Sequence, residues 1–317
     1  MRCALVSFLA NMYKSAGGRL FFVVCGLGPL LWNCHGAKKL PSPIGAQYPA
    51  PMQEALRDHD RRPNQMPPGK VVVIEGLLSR PVTVYLSEKS ALTDTLDLLV
   101  HFNGAAHIPA QAVHALEHPP ALAVVHEGAG SSAYAKAFKD PLVWQRLRAE
   151  IQLRLGLRSL GQVHCSAFSA GYGAVRELLG QDGNAIAGLL LLDGLHTDYV
   201  PKGKSLAQGA HLNTEKLRLF LAFAREAAAG NKKMLLTHSA IFPGTYASTT
   251  ETAHWLMRSL GIKPRAVLQW GPGGMQQLGE AQRGNFQVMS FAGNTAPDHL
   301  DHLHGLPEFL RILLVQR

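Results

Sequence analysis

The residues of this chain that could do covalent chemistry are a serine, an aspartate and a group of histidines. Ser169 and Asp193 each end an apolar run, and His299, His302 and His304 lie close together near the carboxyl end. A serine hydroxyl is a weak nucleophile unless an imidazole takes its proton and a carboxylate orients that imidazole. These residue types therefore indicate nucleophilic acyl transfer, provided that the fold brings distant segments together.

The segment 163–179 gives Ser169 a specific setting. It predicts a short strand, an abrupt turn at Ser169 and then a helix. Ala167 and Gly171 lie two positions before and after the serine, where only small residues fit because strand and helix nearly touch. An ordinary strand-to-helix turn, with Ser169 as the helix N-cap, is the alternative.

This segment resembles the nucleophile elbow of the α/β-hydrolase family, with Ala167 in place of the first glycine of G-x-S-x-G. The resemblance implies a serine hydrolase of the esterase, lipase or peptidase kind, and the amino-terminal segment favours an exported bacterial type. Ser169 would attack the carbonyl of a small-molecule or acyl substrate and form an acyl-enzyme. A carboxyl ester is the default substrate and an amide the alternative. The resemblance implies no cofactor and no metal.

The resemblance also implies the chain order Ser, then Asp or Glu, then His. His299 comes first after the last predicted strand and is the favoured base, with His302 one helical turn later as the alternate. Asp193 is the favoured acid, because a carboxylate that ends a buried strand needs a partner; Asp198 is the alternate. The commonest family pattern places the acid one strand later, but that strand ends at residues 237–239 without a carboxylate.

An acyl-transfer enzyme also needs hydrogen-bond donors aimed at the developing oxyanion. The resemblance places one donor after the strand 97–102, at the backbone N–H of Gly104 or Ala105, and a second at Ala170. Other polar side chains also follow predicted strands, at the edge of the sheet where ligands bind. The residues expected to contact substrate for this reason are Asn103, Glu127 and His238.

Two other functions stay open at this point. A metal-dependent hydrolase or binding protein could use the His299–His302 cluster, with ligands drawn from Asp298, Asp301 and His196. The chain lacks H-E-x-x-H or a similarly compact ligand motif. The second alternative is a catalytically inactive hydrolase fold used for binding, since fold does not imply function.

The order of predicted elements indicates how these residues are positioned. An antiparallel pair at 70–78 and 81–87 precedes repeated strand–helix units, which predicts an α/β three-layer sandwich. Its central sheet is expected to be mostly parallel, with antiparallel first strands and helices on both faces, as in the α/β-hydrolase fold. The predicted later strands are 97–102, 121–126, 163–168, 188–192, 234–237, 266–269 and 286–291, and the predicted helices include 109–117, 141–155, 214–229, 248–260 and 297–314.

The amino-terminal part of the chain predicts export. Basic residues precede the apolar run 20–31, so residues 1–36 are expected to be a signal peptide or an anchor in the membrane. Cleavage, lipidation at Cys34 and an uncleaved anchor are the three alternatives. Seven prolines in residues 37–69 predict a linker, which leaves residues 70–317 as the catalytic domain.

The composition of the chain indicates which kinds of binding partner to expect. The chain has 317 residues and a net charge of +9, but the basic residues form no run or stripe, which argues against nucleic-acid binding. Membrane attachment is expected only through the amino terminus. Cys165 is the only cysteine after residue 36, so the predicted catalytic domain has no internal disulfide.

Overall fold

In the computed structural model of the chain, the described residues are 63–90, 93–204 and 206–315. The predicted segment 1–36 and most of the segment 37–69 lie outside them, so the domain boundaries at 36 and 69 stay predictions. Within the described ranges, every helix falls short of the length or hydrophobicity that a membrane span requires.

The described residues form twelve strands and eight α-helices in a mainly alternating order. The strands are β1 Gly69–Ile74, β2 Val82–Ser87, β3 Thr95–Phe102, β4 Ala121–Val125, β5 Ser159–Phe168, β6 Ile186–Leu192, β7 Tyr199–Val200, β8 His211–Leu212, β9 Lys233–His238, β10 Arg265–Trp270, β11 Gln276–Arg283 and β12 Phe286–Phe291. The helices are α1 His107–His114, α2 Ser131–Ala137, α3 Pro141–Leu155, α4 Tyr172–Asp182, α5 Arg218–Ala228, α6 Thr249–Ser259, α7 Ala296–His304 and α8 Leu306–Val315.

Ten of the strands form one sheet, in the order β1-β2-β4-β3-β5-β6-β9-β12-β11-β10. The run from β4 to β12 is parallel throughout, whereas β1, β2, β11 and β10 pair antiparallel at the two edges. The remaining strands, β7 and β8, form a separate antiparallel pair. This arrangement confirms the prediction of a mostly parallel sheet with antiparallel first strands.

Helices cover both faces of the sheet, because its central strands are apolar on both sides. Val100 of β3 lies in a buried cluster with Trp144 of α3, and this cluster also takes in side chains of α2, α4, α5 and α6. The next residue back, Leu99, lies in a second cluster with Val113 of α1 and Phe309 of α8. Alternate residues of one strand thus enter different cores, and the predicted three-layer α/β-hydrolase fold is confirmed.

The carboxyl-terminal part differs from the prediction in two places. Strand β11 was not predicted, because its Gln, Gly and Glu residues have low strand propensity and it is stabilised by pairing with β10 and β12. The single helix predicted over 297–314 is two helices that meet at Gly305. A Cβ atom at Gly305 would lie 2.9 Å from the ring of Phe309, so the junction depends on the absence of a side chain.

The region after β4 also differs from the prediction. The sequence predicts a loop over residues 127–132, whereas helix α2 already begins at Ser131. Helix α2 has only seven residues, which is too few for a helical spacing of apolar residues to be recognised in the sequence. Helix α2 carries the fully buried Tyr134.

Candidate active site

The chain turns sharply at Ser169, between β5 and α4. Ser169 has a φ of 49°, in the left-handed region, and a short 3-10 helix over Ser169–Gly171 leads into α4. A Cβ atom at Gly171 would lie 2.3 Å from the carbonyl oxygen of Phe102, so strand and helix approach as closely as the elbow requires. Ser169 is partly exposed, whereas the last six residues of the strand before it are buried.

Three residues other than glycine have a positive φ among the described residues: Asn103, Ser169 and Asp193. They directly follow β3, β5 and β6, which are neighbours in the sheet. Left-handed backbone at such residues costs free energy and tends to occur at functional sites. The strained positions therefore lie side by side at the carboxyl edge of the sheet, where ligands of such folds bind.

Asp193 and His299 are joined by a hydrogen bond. The Nδ1 atom of His299 lies 2.7 Å from Oδ2 of Asp193, although the two residues are 106 positions apart. The carboxylate is 6% exposed and the imidazole 26% exposed, so one partner is buried and the other still reaches solvent. With Nδ1–H donating to the carboxylate, Nε2 of His299 is left as a proton acceptor.

Asp193 is held as a carboxylate. Burial by itself raises the pKa of this group, but the imidazoles of His302 and His299 and the hydroxyl of Ser239 outweigh it and lower the pKa below its usual range. Ser239 donates its backbone N–H at 3.0 Å and its hydroxyl at 2.7 Å. The carboxylate therefore has three donors, which is how a buried charge becomes tolerable.

Two contacts bring this pair next to the serine. The ring of His299 lies 4.6 Å, centroid to centroid, from that of Phe168, the residue directly before Ser169. A Cβ atom at Gly194, directly after Asp193, would lie 2.4 Å from the carbonyl oxygen of Ser169 and 2.5 Å from its nitrogen. The turn that carries Asp193 thus packs against the backbone of Ser169, and the imidazole of His299 contacts the ring of Phe168.

The two alternate residues lie elsewhere. His302 is fully buried, with Nδ1 at 2.7 Å from the hydroxyl of Thr237 and its ring stacked on Phe309. Burial lowers the pKa of His302 to about 4. Asp198 is exposed and pairs with Lys216.

The residues proposed as metal ligands do not form a shared cluster. Asp298 accepts the N–H and hydroxyl of Thr295 in a capping box, and Nδ1 of His196 lies 2.9 Å from the carbonyl of Ala247. Within the part of the chain that the structure describes, no three His, Cys, Asp or Glu side chains are grouped so that they could hold a metal ion. In contrast, Asp193 and His299 of the other hypothesis are joined by a hydrogen bond, next to the turn that carries Ser169.

The predicted oxyanion donors lie on two adjoining segments. Gly104 and Ala105 belong to the 103–106 loop between β3 and α1, and Ala170 belongs to the first helical turn after the nucleophile. Backbone N–H groups in a first helical turn have no acceptor within the helix. The amide of Asn103 donates from Nδ2 to the carbonyl of Phe168 at 3.1 Å, so the loop and the serine turn are directly connected.

The predicted substrate contacts make hydrogen bonds within the protein, although one buried oxygen of Glu127 has no hydrogen-bond partner among the described residues. Asn103 uses both ends of its amide, and an oxygen of Glu127 accepts the hydroxyl of Ser79. His238 is only 5% exposed, and its Nδ1 lies 3.1 Å from the hydroxyl of Thr250. Contact of these three side chains with substrate stays a prediction.

Sequence reasoning missed Ser239 and a group of aromatic rings. Ser239 directly follows β9, the strand beside β6, and β6 is the strand that Asp193 follows. A hydroxyl at the end of this neighbouring strand is the sequence feature that could have identified Ser239. The ring of His196 lies 5.6 Å from that of Tyr172 and 5.1 Å from that of Tyr246. Tyr246 is 42% exposed, so this group of rings extends to the surface of the protein.

Comparison with known proteins gives only distant likenesses. No protein-family model matches the chain, and no curated protein matches it in sequence. A solved feruloyl esterase module from Clostridium thermocellum, complexed with sinapinate, is 10% identical over 77% of this chain and 89% of its own, with a TM-score of 0.45. An esterase from Pyrobaculum calidifontis is 10% identical over 83% of this chain and 91% of its own, also at 0.45. An arylesterase is 14% identical over 82% of this chain and 90% of its own, at 0.42. No function is transferred at these levels of similarity.

Proposed function

We propose that this protein is a serine hydrolase that cleaves a carboxyl ester, with Ser169 as nucleophile, His299 as general base and Asp193 as the acid that orients it. The observation that carries the proposal is the 2.7 Å hydrogen bond between Asp193 and His299, beside a serine in strained backbone. A buried carboxylate, a partly exposed imidazole and a serine at a sharp turn are the parts that acyl transfer requires.

In the proposed acylation step, Nε2 of His299 takes the proton of the Ser169 hydroxyl while Oγ attacks the substrate carbonyl carbon. The carbonyl oxygen becomes an oxyanion that accepts hydrogen bonds from backbone N–H groups of the 103–106 loop and of Ala170. Asp193 stabilises the imidazolium that forms. Its carboxylate stays ionised throughout, in keeping with its lowered pKa.

Collapse of the tetrahedral intermediate breaks the bond to the leaving alcohol, which receives the proton from His299. The acyl group stays on Ser169 as an ester. A water molecule then gives its proton to His299 and attacks the acyl carbonyl, and the same donors stabilise the second oxyanion. Release of the carboxylic acid returns the proton to Ser169, so that protons and electron pairs balance over the cycle.

A fluorophosphonate probe tests the proposal directly, because it labels a serine only when a base activates it. We expect labelling of the wild-type protein and none of Ser169→Ala. Ser159→Ala is the matched control, since Ser159 lies at the other end of the same strand, and it should label normally. Labelling that survives in Ser169→Ala, or activity that chelators abolish without any labelling, would overturn the proposal.

The substrate class needs a second experiment. Esters and amides of the same acyl groups, of increasing chain length and including aryl acids, would be compared by kcat/KM. The proposal predicts faster turnover of the esters. Amides turned over as fast as the matched esters would assign the protein to the amidases while leaving the triad unchanged.

A further inference from the structure

Four hydrogen bonds converge on Asn103, the residue that begins the 103–106 loop. Its backbone N–H donates to the carbonyl of Val125 at 2.9 Å, and its own carbonyl lies 3.1 Å from Nε2 of His101. Its side chain donates to the carbonyl of Phe168 at 3.1 Å and accepts the hydroxyl of Tyr134 at 3.0 Å. Both the main chain and the side chain of Asn103 are therefore fixed, although its φ of 75° is unfavourable for a residue with a side chain.

His101 is a fixed donor in this network. Its Nδ1 lies 2.8 Å from the hydroxyl of Ser166 and its Nε2 3.1 Å from the carbonyl of Asn103. Because a carbonyl oxygen can only accept, Nε2 carries the proton and Nδ1 accepts from Ser166. Burial lowers the pKa of His101 to about 4, so the ring stays neutral and this tautomer persists at ordinary pH.

Tyr134 fixes the other end of the Asn103 side chain. It comes from α2, its side chain is fully buried, and burial raises the pKa of its hydroxyl to about 12. The hydroxyl is therefore a neutral donor to Oδ1 of Asn103. With Oδ1 occupied in this way, the NH₂ group of the amide is turned toward Phe168, the residue before the proposed nucleophile.

We propose that Asn103, held by His101 and Tyr134, is a positioning residue that fixes the 103–106 loop against the turn at Ser169. It ties the predicted oxyanion donors of the loop to the turn that carries the nucleophile and the Ala170 donor. Donors stabilise a transition state best when their positions are set before the reaction. Asn103 then does not bind substrate, which explains why its polar groups are already occupied. This inference rests on the proposed function.

The test compares two buried tyrosine hydroxyls. Tyr134→Phe removes the donor to Asn103, together with a longer contact of the same hydroxyl, 3.5 Å from Nδ1 of His126. Tyr85→Phe is the matched control, since Tyr85 is also fully buried and its hydroxyl donates to the carbonyl of Pro68 at 2.8 Å, on the far side of β4 from the site. Asn103→Gly is a second route, because glycine accepts a φ of 75° without strain but lacks both side-chain bonds.

We expect Tyr134→Phe to lower kcat about tenfold with KM changed less than about twofold, and Asn103→Gly to lower kcat further. Affinity for a trifluoromethyl ketone, which forms an oxyanion on a serine, should fall in parallel with kcat. Affinity for the matching methyl ketone should be unchanged, and Tyr85→Phe should behave as wild type in all of these assays. A residue that only stabilised the fold would not lower kcat and trifluoromethyl ketone affinity while leaving KM and methyl ketone affinity unchanged.

Equal kcat values for Tyr134→Phe and Tyr85→Phe would overturn the positioning role. A rise in KM at constant kcat for Asn103→Gly would do so as well, because it would make Asn103 a substrate contact. Failure of the proposed function is read from a separate variant: hydrolysis that survives in Ser169→Ala would remove the serine mechanism, whatever the tyrosine variants show.

Discussion

At the scale of single residues, the proposed chemistry depends on which carboxylate faces His299. Asp193 and Asp198 lie five positions apart, and the sequence favours Asp193 only because it ends a buried strand. The fold separates them, since Asp193 is buried against the imidazole and Asp198 is exposed beside Lys216. A matched pair of conservative substitutions therefore isolates the role of the buried acid.

We predict that Asp193→Asn lowers kcat by roughly 10³- to 10⁴-fold, because an amide can donate to Nδ1 and favour the wrong tautomer of His299. Asp198→Asn should stay within about twofold of wild type. Steady-state ester hydrolysis by both variants checks this. Comparable losses in the two variants, or an unimpaired Asp193→Asn enzyme, would contradict the assignment.

Ser239 provides the second prediction at this scale. Its hydroxyl donates to the carboxylate oxygen that also contacts His299, whereas its backbone N–H contacts the other oxygen. Ser239→Ala should therefore lower kcat by about tenfold while unfolding free energy falls by about 1–2 kcal/mol. Kinetics and urea unfolding of the same preparation measure both. A kcat equal to that of wild type would show that the hydroxyl only stabilises the fold.

The proposed catalytic set could be selected from the sequence, whereas the residues that contact it could not. Ser169 and Asp193 each end an apolar run, and the chain order implied by the family resemblance selected His299 after the last predicted strand. Ser239 reaches Asp193 only because β9 lies beside β6, and Tyr134 reaches Asn103 only because α2 packs near the end of β3. Such neighbours are set by packing between distant segments, and a single sequence carries no local signal for them.

At the scale of elements, the turn at Ser169 depends on how closely α4 approaches β3. Gly171 touches the carbonyl of Phe102, whereas Gly180, near the other end of the same helix, is exposed. A methyl group at Gly171 must push backbone atoms apart, because its nearest neighbours cannot rotate away. A methyl group at Gly180 would meet only the flexible end of Leu219, at 3.4 Å.

We predict that Gly171→Ala destabilises the protein by about 1–3 kcal/mol and abolishes most of the activity, through overpacking beside the nucleophile. Gly180→Ala should leave activity unchanged and raise stability by about 0.5–1 kcal/mol, because alanine is the better helix former. Urea unfolding and ester hydrolysis of both variants decide this. An active, stable Gly171→Ala protein would contradict the tight turn.

The same scale shows where sequence patterns fail. Strands such as β3 and β6 were predictable because they are continuous apolar runs buried on both faces. Strand β11 has few apolar residues and is held by its two neighbours. The break at Gly305 comes two residues before Pro307, which has no N–H with which to continue the first helix. Strand β11 depends on tertiary contacts that override local propensity.

At the scale of the whole molecule, buried histidines link stability to pH. Burial lowers the pKa of His101, His164 and His302 from 6.5 to about 4. Between those two pH values each of them binds a proton in the unfolded state that the folded state does not bind. Unfolding free energy should therefore be fully present above about pH 6.5 and fall by about 1.4 kcal/mol per pH unit for each histidine as the pH drops toward 4.

His164→Gln tests this prediction away from the proposed site. His164 is 3% exposed, its Nδ1 atom has no hydrogen-bond partner among the described residues, and it lies well before Ser169 on β5. Urea unfolding at pH 7.0, 6.0 and 5.0 should show a pH slope smaller by about one proton in the variant. Identical slopes in both proteins would contradict the buried neutral state of this ring.

The most direct test of the central claim is to trap the acyl-enzyme. Wild-type protein mixed with an activated ester and quenched in acid should gain the mass of one acyl group, mapped by peptide mass spectrometry to the segment that contains Ser169. The same treatment of Ser169→Ala should give no adduct and no burst of released alcohol. An adduct on another residue, or hydrolysis at the wild-type rate by Ser169→Ala, would contradict the account.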